Sequence, residues 1–572
     1  MHTAADCQPG SLPDSVCRGR LRRALRVRSK HDCDDGALQL VHCRNVCEAL
    51  RGMVEGDEGS EAWQTCCRVE FGLVEPCLPP RLGAPSGDLS FRAAWTAWRR
   101  EFSDFYNNPE DAQVLQRSAR TWAELNRWLR ANAPPIASSL APGLSRIEVA
   151  ELDPMARLPA AVRAIYRIHN GQPITNSDHG VRPTPLVLDP HSQQVHSAWN
   201  GIFGGYIFYD HVVNLRMPPL EEAIKFGRQC AQKFAEVSFS EDQPDVPLAF
   251  AVSLITRMGR PSRMYILHNK TGSLYLPRND GTLLRCVNPA GAMTPDGAVI
   301  HHQPTDAHAH KTCGGTEGAE GAKGAKDTDQ QSSTAEQRAG LCDGALRWLE
   351  AYVSQLTRGN YAVAPYLKDE LEWGGRAVGI SLYPRQAPMC AVCITRNIRI
   401  EASAMFVPEK SSKGSFFFSY RMRMSLVGEG STESTRSAQL ITRHLVFNQG
   451  PGREPVVVDG EAVIGEFPHL IVGGSYVGGQ DFEYAGKQYV TEYCYASCTE
   501  MPTAQGSLSG SFRFLPGCIA TPTGRCFMHF SLPPPLSRAR SLCFCVRMCV
   551  FAGVRACVSV CGRGMVVRFT AC

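Results

Sequence analysis

The stretch Phe416-Phe-Phe-Ser-Tyr-Arg-Met-Arg-Met-Ser-Leu426 alternates between two kinds of side chain. The even-numbered positions from Phe416 to Leu426 carry apolar residues, and the odd-numbered positions after Phe417 carry serine or arginine. Successive side chains of a β-strand point to opposite faces, so such a strand has one apolar and one largely polar face. The stretch therefore predicts a strand of a sheet that covers an apolar core.

Other short strand-like segments surround this stretch, with glycine and proline turns between them. They lie at residues 392–402, 440–447, 456–458, 463–465 and 511–514. No helical period interrupts them, and many short strands joined by turns are typical of two packed sheets. We predict an all-β sandwich over residues 386–533, on the C-terminal side of a multi-domain chain.

Three blocks in this region stand in a recognisable order: Gln439-Leu-Ile-Thr-Arg443-His444, Gly460-Glu-Ala-Val463-Ile-Gly465-Glu466-Phe-Pro468 and Gly506-Ser-Leu508-Ser-Gly510-Ser-Phe512. In order and approximate spacing they resemble the ApaG domain. The resemblance implies an immunoglobulin/fibronectin-like sandwich that serves as a binding module. It also implies a ligand or partner contact at the glycine-rich segment and its neighbours, namely Gly460, Glu461, Gly465, Glu466, Arg443 and His444.

The glycine-rich segment has two interpretations. In bacterial relatives it is linked to pyrophosphate-type ligands, but here Ala462 replaces the middle glycine, and a Cβ hinders the close backbone approach on which phosphate binding depends. A dinucleotide site needs a strand-to-helix context that is missing. Tight turns between strands explain the glycines equally well, and Arg443 and His444 then serve structure or partner contact.

Composition limits the classes of function. The chain has 572 residues, enough for roughly three or four domains, with 43% apolar and 20% charged residues and a net charge of +5. This weak charge predicts no nucleic-acid surface. No window is apolar enough to span a membrane, and the first twenty residues resemble no secretory signal. The 24 dispersed cysteines indicate reduced thiols in the cytoplasm and/or nucleus. We predict no metal site, no cofactor and no catalytic residue.

The N-terminal residues 11–72 have the pattern of short helices. Leu12-Pro13, Leu40-Val-His-Cys-Arg-Asn-Val-Cys-Glu-Ala-Leu50 and Glu61-Ala-Trp63-Gln-Thr-Cys-Cys67 resemble parts of an F-box. The resemblance implies docking on a Skp-type adaptor through Leu12, Pro13, Val41, Cys43, Arg44 and Trp63. The arginines between Arg18 and Arg28 stand where an F-box normally has Ile and Leu, and the alternative is a helical cap without a partner. Connecting helices follow at 88–135, where Phe91, Trp95, Trp98, Phe102 and Phe105 form one helical stripe typical of core packing.

Residues 145–286 mix helix and strand patterns. Leu158-Pro159 followed by Arg163, Tyr166 and His169-Asn170-Gly171 resembles the opening of the α+β Smi/Knr family, and Gly201–Leu220 agrees with it. We interpret His169 and His211 as core or turn-capping residues, since neither has a metal or triad spacing. Residues 287–340 predict a low-complexity linker. A helix and connector fill 341–385, and we expect the helix to pack on the sandwich. The Arg/Cys-rich tail, 534–572, is predicted to be unstructured.

The order of F-box-like, Smi/Knr-like and ApaG segments resembles plant Skp-interacting F-box proteins, with a more distant animal F-box-only counterpart. This resemblance implies a non-catalytic substrate-recognition subunit of an SCF-type (Skp–cullin–F-box) E3 ubiquitin ligase, bound to an adaptor, through it to cullin, and to an unknown target protein. The alternative is an ApaG-type sensor of a phosphorylated metabolite or pyrophosphate. A third class, an enzyme acting on dinucleoside polyphosphates, needs a nucleophile and base that the motifs do not supply.

Overall fold

The structure is a computed structural model, and it describes part of the chain. The described residues are 57–83, 87–153, 158–173, 201–209, 211–233, 248–253, 263–267, 272, 274–278, 280, 283–286, 343–365, 378–386, 390–427, 437–450, 452–472, 474–475, 482–484, 487–489, 492–516, 544–551 and 565–570. The predicted linker at 287–340 and most of the predicted F-box segment lie outside these ranges. Within them, no helix combines the length and the apolar character that crossing a bilayer requires.

The chain divides into two compact units, the first formed by residues up to 127 together with 141–170. The helices are α1 (Asp57–Phe71), α2 (Phe91–Glu101), α3 (Pro109–Asn132), α4 (Pro134–Ser138), α5 (Arg146–Leu152), α6 (Ala160–Ile168), α7 (Leu220–Lys233) and α8 (Gly344–Thr357). Of these, α1, α2, α5 and α6 belong to the first unit, with most of α3. Helix α5 begins with a capping box, in which Ser145 and Glu148 exchange reciprocal side-chain-to-backbone hydrogen bonds.

The aromatic stripe of the first unit is buried from Trp95 to Phe105, as its spacing predicts, and Phe91 is partly exposed. Trp98 stacks on Phe71 at 5.1 Å and on Phe102 at 5.4 Å between ring centroids. The stripe is not one helix, however, because α2 ends at Glu101 and Ser103–Asn107 form a short 3₁₀ helix that carries Phe105. Tightening the last turn keeps Phe102 and Phe105 in the core after the α-helix has ended.

His169 is a core residue of the first unit, in agreement with its interpretation from the sequence. The side-chain amide of Asn126 lies 2.9 Å from His169 Nε2, and the carbonyl oxygen of Ala141 lies 3.2 Å from Nδ1. The imidazole ring packs on Trp122 at 4.7 Å. Both ring nitrogens therefore serve packing and hydrogen bonding inside the fold.

The second unit contains residues 128–140 and 171 onward. Its first sheet has the order β6-β5-β4-β3-β2-β1-β8-β7 among the described residues. The strands are β1 (Gly205–Phe208), β2 (His211–Arg216), β3 (Leu248–Ser253), β4 (Arg263–Leu267), β5 (Leu274–Pro277), β6 (Leu283–Cys286), β7 (Ala362–Pro365) and β8 (Val378–Ser381). Neighbouring strands are antiparallel except β1 and β8. The predicted connector after the linker thus supplies two strands to the middle sheet.

Helix α8 covers this middle sheet, and the expectation that it packs on the sandwich is wrong. Trp348 meets Phe203 at 4.8 Å, Phe250 at 5.6 Å and Tyr265 at 5.1 Å between ring centroids. Tyr352 donates its hydroxyl to the carbonyl oxygen of Ile202 at 2.7 Å. The aromatic face of the helix matches the aromatic residues of the middle sheet.

The remaining strands form the predicted two-sheet architecture. They are β9 (Cys390–Thr395), β10 (Ile398–Phe406), β11 (Phe416–Leu426), β12 (Ser437–Asn448), β13 (Val456–Glu461), β14 (His469–Ile471), β15 (Gly474–Ser475), β16 (Phe482–Tyr484), β17 (Lys487–Tyr489), β18 (Tyr493–Met501), β19 (Gln505–Pro516), β20 (Phe544–Phe551) and β21 (Met565–Thr570). One sheet has the order β18-β11-β10-β9, and the other has β15-β14-β12-β19-β20-β21 with β13 paired to β12. Strands β16 and β17 belong to neither and form a separate two-stranded sheet. Side chains such as Ile400, Phe418, Met422, Leu440 and Phe512 fill the core between them.

The structure changes three details of the sandwich. Residues 392–402 are a hairpin rather than one strand, with positive φ at Arg396 and Asn397, as in a type I′ turn. Residues 463–465, predicted as a strand, lie in a turn. In place of an unstructured tail, β20 and β21 pair with β19 and with each other.

Candidate functional site

The glycine-rich segment lies at the end of a two-stranded ribbon. Strands β12 and β13 are antiparallel, with Arg443 opposite Gly460 and His444 opposite Asp459. The ribbon brings Arg443, His444, Gly460 and Glu461 together, as the sequence predicts. Residues 462–466 then turn the chain back toward β14.

The turn holds itself in place through its backbone. The Ala462 N–H donates to the carbonyl oxygen of Ile441 at 3.0 Å, and Val463 and Glu466 exchange two N–H···O bonds of 2.8 and 2.9 Å. Three residues of the turn have positive φ: Ala462 at 62°, Ile464 at 48° and Gly465 at 75°. Glycine is needed at position 465 for this reason, whereas Ala462 and the β-branched Ile464 adopt the left-handed region at a cost.

Arg443 fastens this turn from the neighbouring strand. Its Nη1 donates to the carbonyl oxygen of Glu461 at 3.1 Å and also to that of Ala462. A Cβ at Gly460 would lie 3.8 Å from Arg443 Nη2, an ordinary contact, so the glycine is not required there by crowding. The guanidinium therefore acts on the backbone of the turn.

The other predicted residues are also bound within the domain. His444 Nδ1 lies 2.6 Å from a carboxylate oxygen of Asp459, in a pair whose side chains are 47% and 68% exposed. Such an exposed pair contributes about 0–1 kcal/mol. Glu466 accepts a 3.0 Å hydrogen bond from the Tyr493 hydroxyl. Burial, followed by the charge of Glu466, raises the pKa of Tyr493, which keeps this hydroxyl a donor.

This geometry does not form an anion cradle of the kind that backbone nests provide. A nest directs successive N–H groups at the anion, whereas the N–H groups of Ala462, Val463 and Glu466 donate inside the fold. The only Arg443 donor contacts described are to carbonyl oxygens of the turn. What the arrangement offers is a rigid, exposed ribbon.

The predicted adaptor-binding residues Leu12, Pro13, Val41, Cys43 and Arg44 lie outside the described residues. Trp63 lies on α1 and is 3% exposed. Its ring packs on Trp95 at 5.0 Å. In this structure Trp63 is a core residue of the helical unit, and its adaptor role stays a prediction.

A buried polar cluster at the contact between the middle sheet and the sandwich was not identified from the sequence. Glu409, on the 3₁₀ helix Pro408–Lys410, accepts a hydrogen bond from the Tyr206 hydroxyl and lies 2.9 Å from His211 Nε2. Arg263 Nη1 is 3.8 Å from the second carboxylate oxygen and donates to Tyr206 at 3.1 Å. The side chain of Arg263 is fully buried and that of Glu409 is 7% exposed.

The electrostatics of this cluster favour the charged forms of Glu409 and Arg263. Burial alone would raise the pKa of Glu409, but Arg263 and the contacts with His211 and Tyr206 hold that pKa below its ordinary value. Burial and the Glu409 charge raise the pKa of Tyr206, which remains a hydroxyl donor. His211 is thus a satisfied core residue, as the sequence indicates, with a partner 198 residues away.

The polar face of β11 belongs to the same contact. Ser419 Oγ lies 2.6 Å from the Tyr383 hydroxyl, and Arg421 Nη1 donates to Ser381 Oγ at 3.3 Å. Phe417 packs on Phe208 at 5.8 Å. The serines and arginines that alternate along β11 mark this polar face in the sequence. In the structure Ser419 and Arg421 are buried on it, where they form hydrogen bonds with the middle sheet.

Comparisons with known proteins agree with the predicted ApaG resemblance. The family model of the ApaG domain matches residues 407–516. Protein ApaG of Anaeromyxobacter dehalogenans is 33% identical over 126 residues, 22% of this chain and 81% of the bacterial protein. F-box protein SKIP16 of Arabidopsis thaliana is 28% identical over 495 residues, 85% of this chain and 91% of the plant protein. F-box only protein 3 of Homo sapiens is 27% identical over 169 residues, 29% of each chain.

The ApaG assignment and the F-box resemblance made from the sequence are both confirmed by these matches. The matched ApaG segment coincides with strands β11 to β19 and with the turn described above. The chain therefore belongs to the ApaG-domain family, and a relative that matches most of its length is an F-box protein.

Proposed function

We propose that the chain is the substrate-recognition subunit of an SCF-type E3 ubiquitin ligase. The observation that carries this proposal is the match to F-box protein SKIP16, which extends over 85% of this chain and 91% of the relative. A match of this extent is far longer than the ApaG segment alone, whose family model matches residues 407–516. In this role residues 11–72 bind a Skp-type adaptor, and the adaptor connects the chain to cullin.

The target is recruited by the second unit. Its middle sheet corresponds to the predicted Smi/Knr-like module and its sandwich to the ApaG module. The Glu409–Arg263 contact and the Tyr383–Ser419 hydrogen bond tie the two to each other. This arrangement supports the proposal because the two modules are joined into one platform on which a target can bind, and tethering the target to the ligase raises its effective concentration. The chain itself contributes binding, and ubiquitin transfer belongs to other subunits.

Adaptor co-purification tests this proposal on the full-length chain. We expect the wild-type chain to retain a co-expressed Skp-type adaptor. A Leu12→Asp, Val41→Asp double variant should retain at least ten-fold less adaptor, because it places charges at two apolar positions predicted to contact the adaptor. The matched control is Ile147→Asp, since Ile147 is 70% exposed on the helical unit and lies outside the F-box segment. A wild-type chain that retains no adaptor, or a double variant that retains as much as the control, contradicts the proposal.

A further inference from the structure

Strand β13 is an edge strand with unusual exposure. Among the residues that the structure describes, it pairs with one strand, β12. Val456 is 44% exposed and Val457 is 49% exposed. An edge strand presents a row of backbone N–H and C=O groups to any chain that can pair with them.

The strand carries two charged side chains, Asp459 and Glu461, but it lacks other features by which proteins usually block such an edge. Between Val456 and Glu461 there is no lysine, no proline and no bulge in the pairing with β12. At its end the Arg443 contacts and the Val463–Glu466 hydrogen bonds fix the turn. Among the residues that the structure describes, no second strand pairs with this edge, and the fixed turn at its end lowers the entropic cost of adding one.

The side chains of the outer face select the chemistry of the added strand. Val457, Asp459 and Glu461 share one face of β13, because side chains two apart point the same way. All three are exposed. Their cross-strand neighbours on β12 are Val446, His444 and Thr442. The face thus has an apolar position at one end and two carboxylates at the other.

We propose that the β13 edge binds an extended basic segment of a target protein by β-strand addition, with the pattern Lys-x-Lys-x-Val. The sheet around β12 is antiparallel, and antiparallel pairing is the more stable kind. In that direction the two lysines stand opposite Glu461 and Asp459, and the valine stands opposite Val457. Cross-strand pairs of opposite charge and of β-branched residues each stabilise a sheet by about 0.2–1 kcal/mol. The inference rests on the receptor role proposed above, because that role identifies the bound segment as part of a target protein.

The edge strand β9 of the other sheet provides a contrast. Val392 is 47% exposed and Ile394 is 58% exposed, but Cys390–Thr395 contain no charged residue. Nothing on β9 favours a basic over an acidic partner. It supplies a control position that matches Val457 in residue type and exposure.

The test measures binding of two fluorescein-labelled peptides to the full-length chain by fluorescence anisotropy. The probes are Thr-Lys-Thr-Lys-Thr-Val-Thr and its acidic counterpart Thr-Glu-Thr-Glu-Thr-Val-Thr. We expect the lysine peptide to bind at least five-fold more tightly than the glutamate peptide. Val457→Lys should weaken the lysine peptide at least five-fold, whereas Val392→Lys should leave it unchanged. In the double variant Asp459→Lys, Glu461→Lys the preference should reverse.

The outcomes that contradict the edge proposal differ from those that contradict the ligase role. Equal binding of the two peptides, or equal effects of the Val457 and Val392 substitutions, overturns the edge proposal. Adaptor retention is measured on the same wild-type and Val457→Lys proteins. If the adaptor is retained but the peptide preference is missing, only the edge proposal fails; if the peptides behave as expected but no adaptor is retained, only the ligase role fails.

Discussion

The turn at Ala462–Glu466 and the cluster around Glu409 belong to the same compact unit, yet their polar groups serve different ends. The turn is partly exposed, at Ile464 and Gly465, and directs its hydrogen bonds inward, to Ile441 and to its own backbone. The cluster is buried and directs its hydrogen bonds across the contact between the middle sheet and the sandwich. The glycine-rich motif and Arg443 thus stabilise a local turn. Glu409, which belongs to no motif recognised in the sequence, joins the middle sheet to the sandwich.

Removing the Glu409 carboxylate is expected to have the largest effect. In Glu409→Leu the buried guanidinium of Arg263 loses its carboxylate, and breaking a buried charge pair costs about 3–5 kcal/mol. We expect a fall of this size in the free energy of unfolding of the second unit, measured by urea denaturation. Glu454→Leu, at an exposed position, should change it by less than about 0.5 kcal/mol.

A second substitution separates loss of the pair from loss of packing. The double variant Glu409→Leu, Arg263→Met removes both charges and keeps apolar volume, which often restores stability. We expect it to regain more than half of the loss. A double variant as unstable as Glu409→Leu would mean that the charges do not act as a pair, and the contrast between cluster and turn would weaken.

The same carboxylate makes stability depend on pH. The pKa of Glu409 is lower in the folded state than its ordinary value of 4.5, so its contribution is complete above pH 4.5 and is lost as the pH falls through the lowered value. Between pH 6 and pH 3.5 the wild-type chain should therefore lose more stability than Glu409→Gln, which has no charge to protonate there. Parallel curves for the two proteins in urea denaturation would contradict this role.

Substitution of Arg443 is expected to have a smaller effect, because the turn is partly exposed. Arg443→Ala removes hydrogen bonds from a charged donor to the carbonyl oxygens of Glu461 and Ala462. Bonds to charged groups contribute about 1.5–3 kcal/mol when buried and less in solvent, so we expect a loss of about 1 kcal/mol. Proteolytic cleavage near residue 464 should speed up accordingly. His444→Ala, on the same strand with an exposed partner, should leave the cleavage rate nearly unchanged.

The sequence predicts features that a local pattern encodes. The alternation at Phe416–Leu426 predicts strand β11 and the face that it turns to the sandwich core, because period two depends only on the strand itself. The apolar face of α8 predicts that Trp348 is buried, but its contact with Phe203 depends on tertiary structure. Likewise nothing near Glu409 indicates His211 as its partner. Ile464 is β-branched and favours a strand by type, so its turn conformation is not readable from the chain.

The smallest expected change in stability belongs to Ala462→Gly, and the same variant tests why the turn is a poor phosphate site. Ala462→Gly relieves a left-handed conformation that costs about 1–2 kcal/mol, but it adds about 0.5–1 kcal/mol of backbone entropy and removes about 0.8 kcal/mol of methyl burial. These contributions nearly cancel, so the free energy of unfolding should change by less than about 0.8 kcal/mol in either direction. Because the Ala462, Val463 and Glu466 N–H groups stay engaged, the variant should bind pyrophosphate no better than wild type in titration calorimetry. Binding gained by this substitution alone would mean that the Cβ, rather than the hydrogen bonding of the turn, excludes the anion.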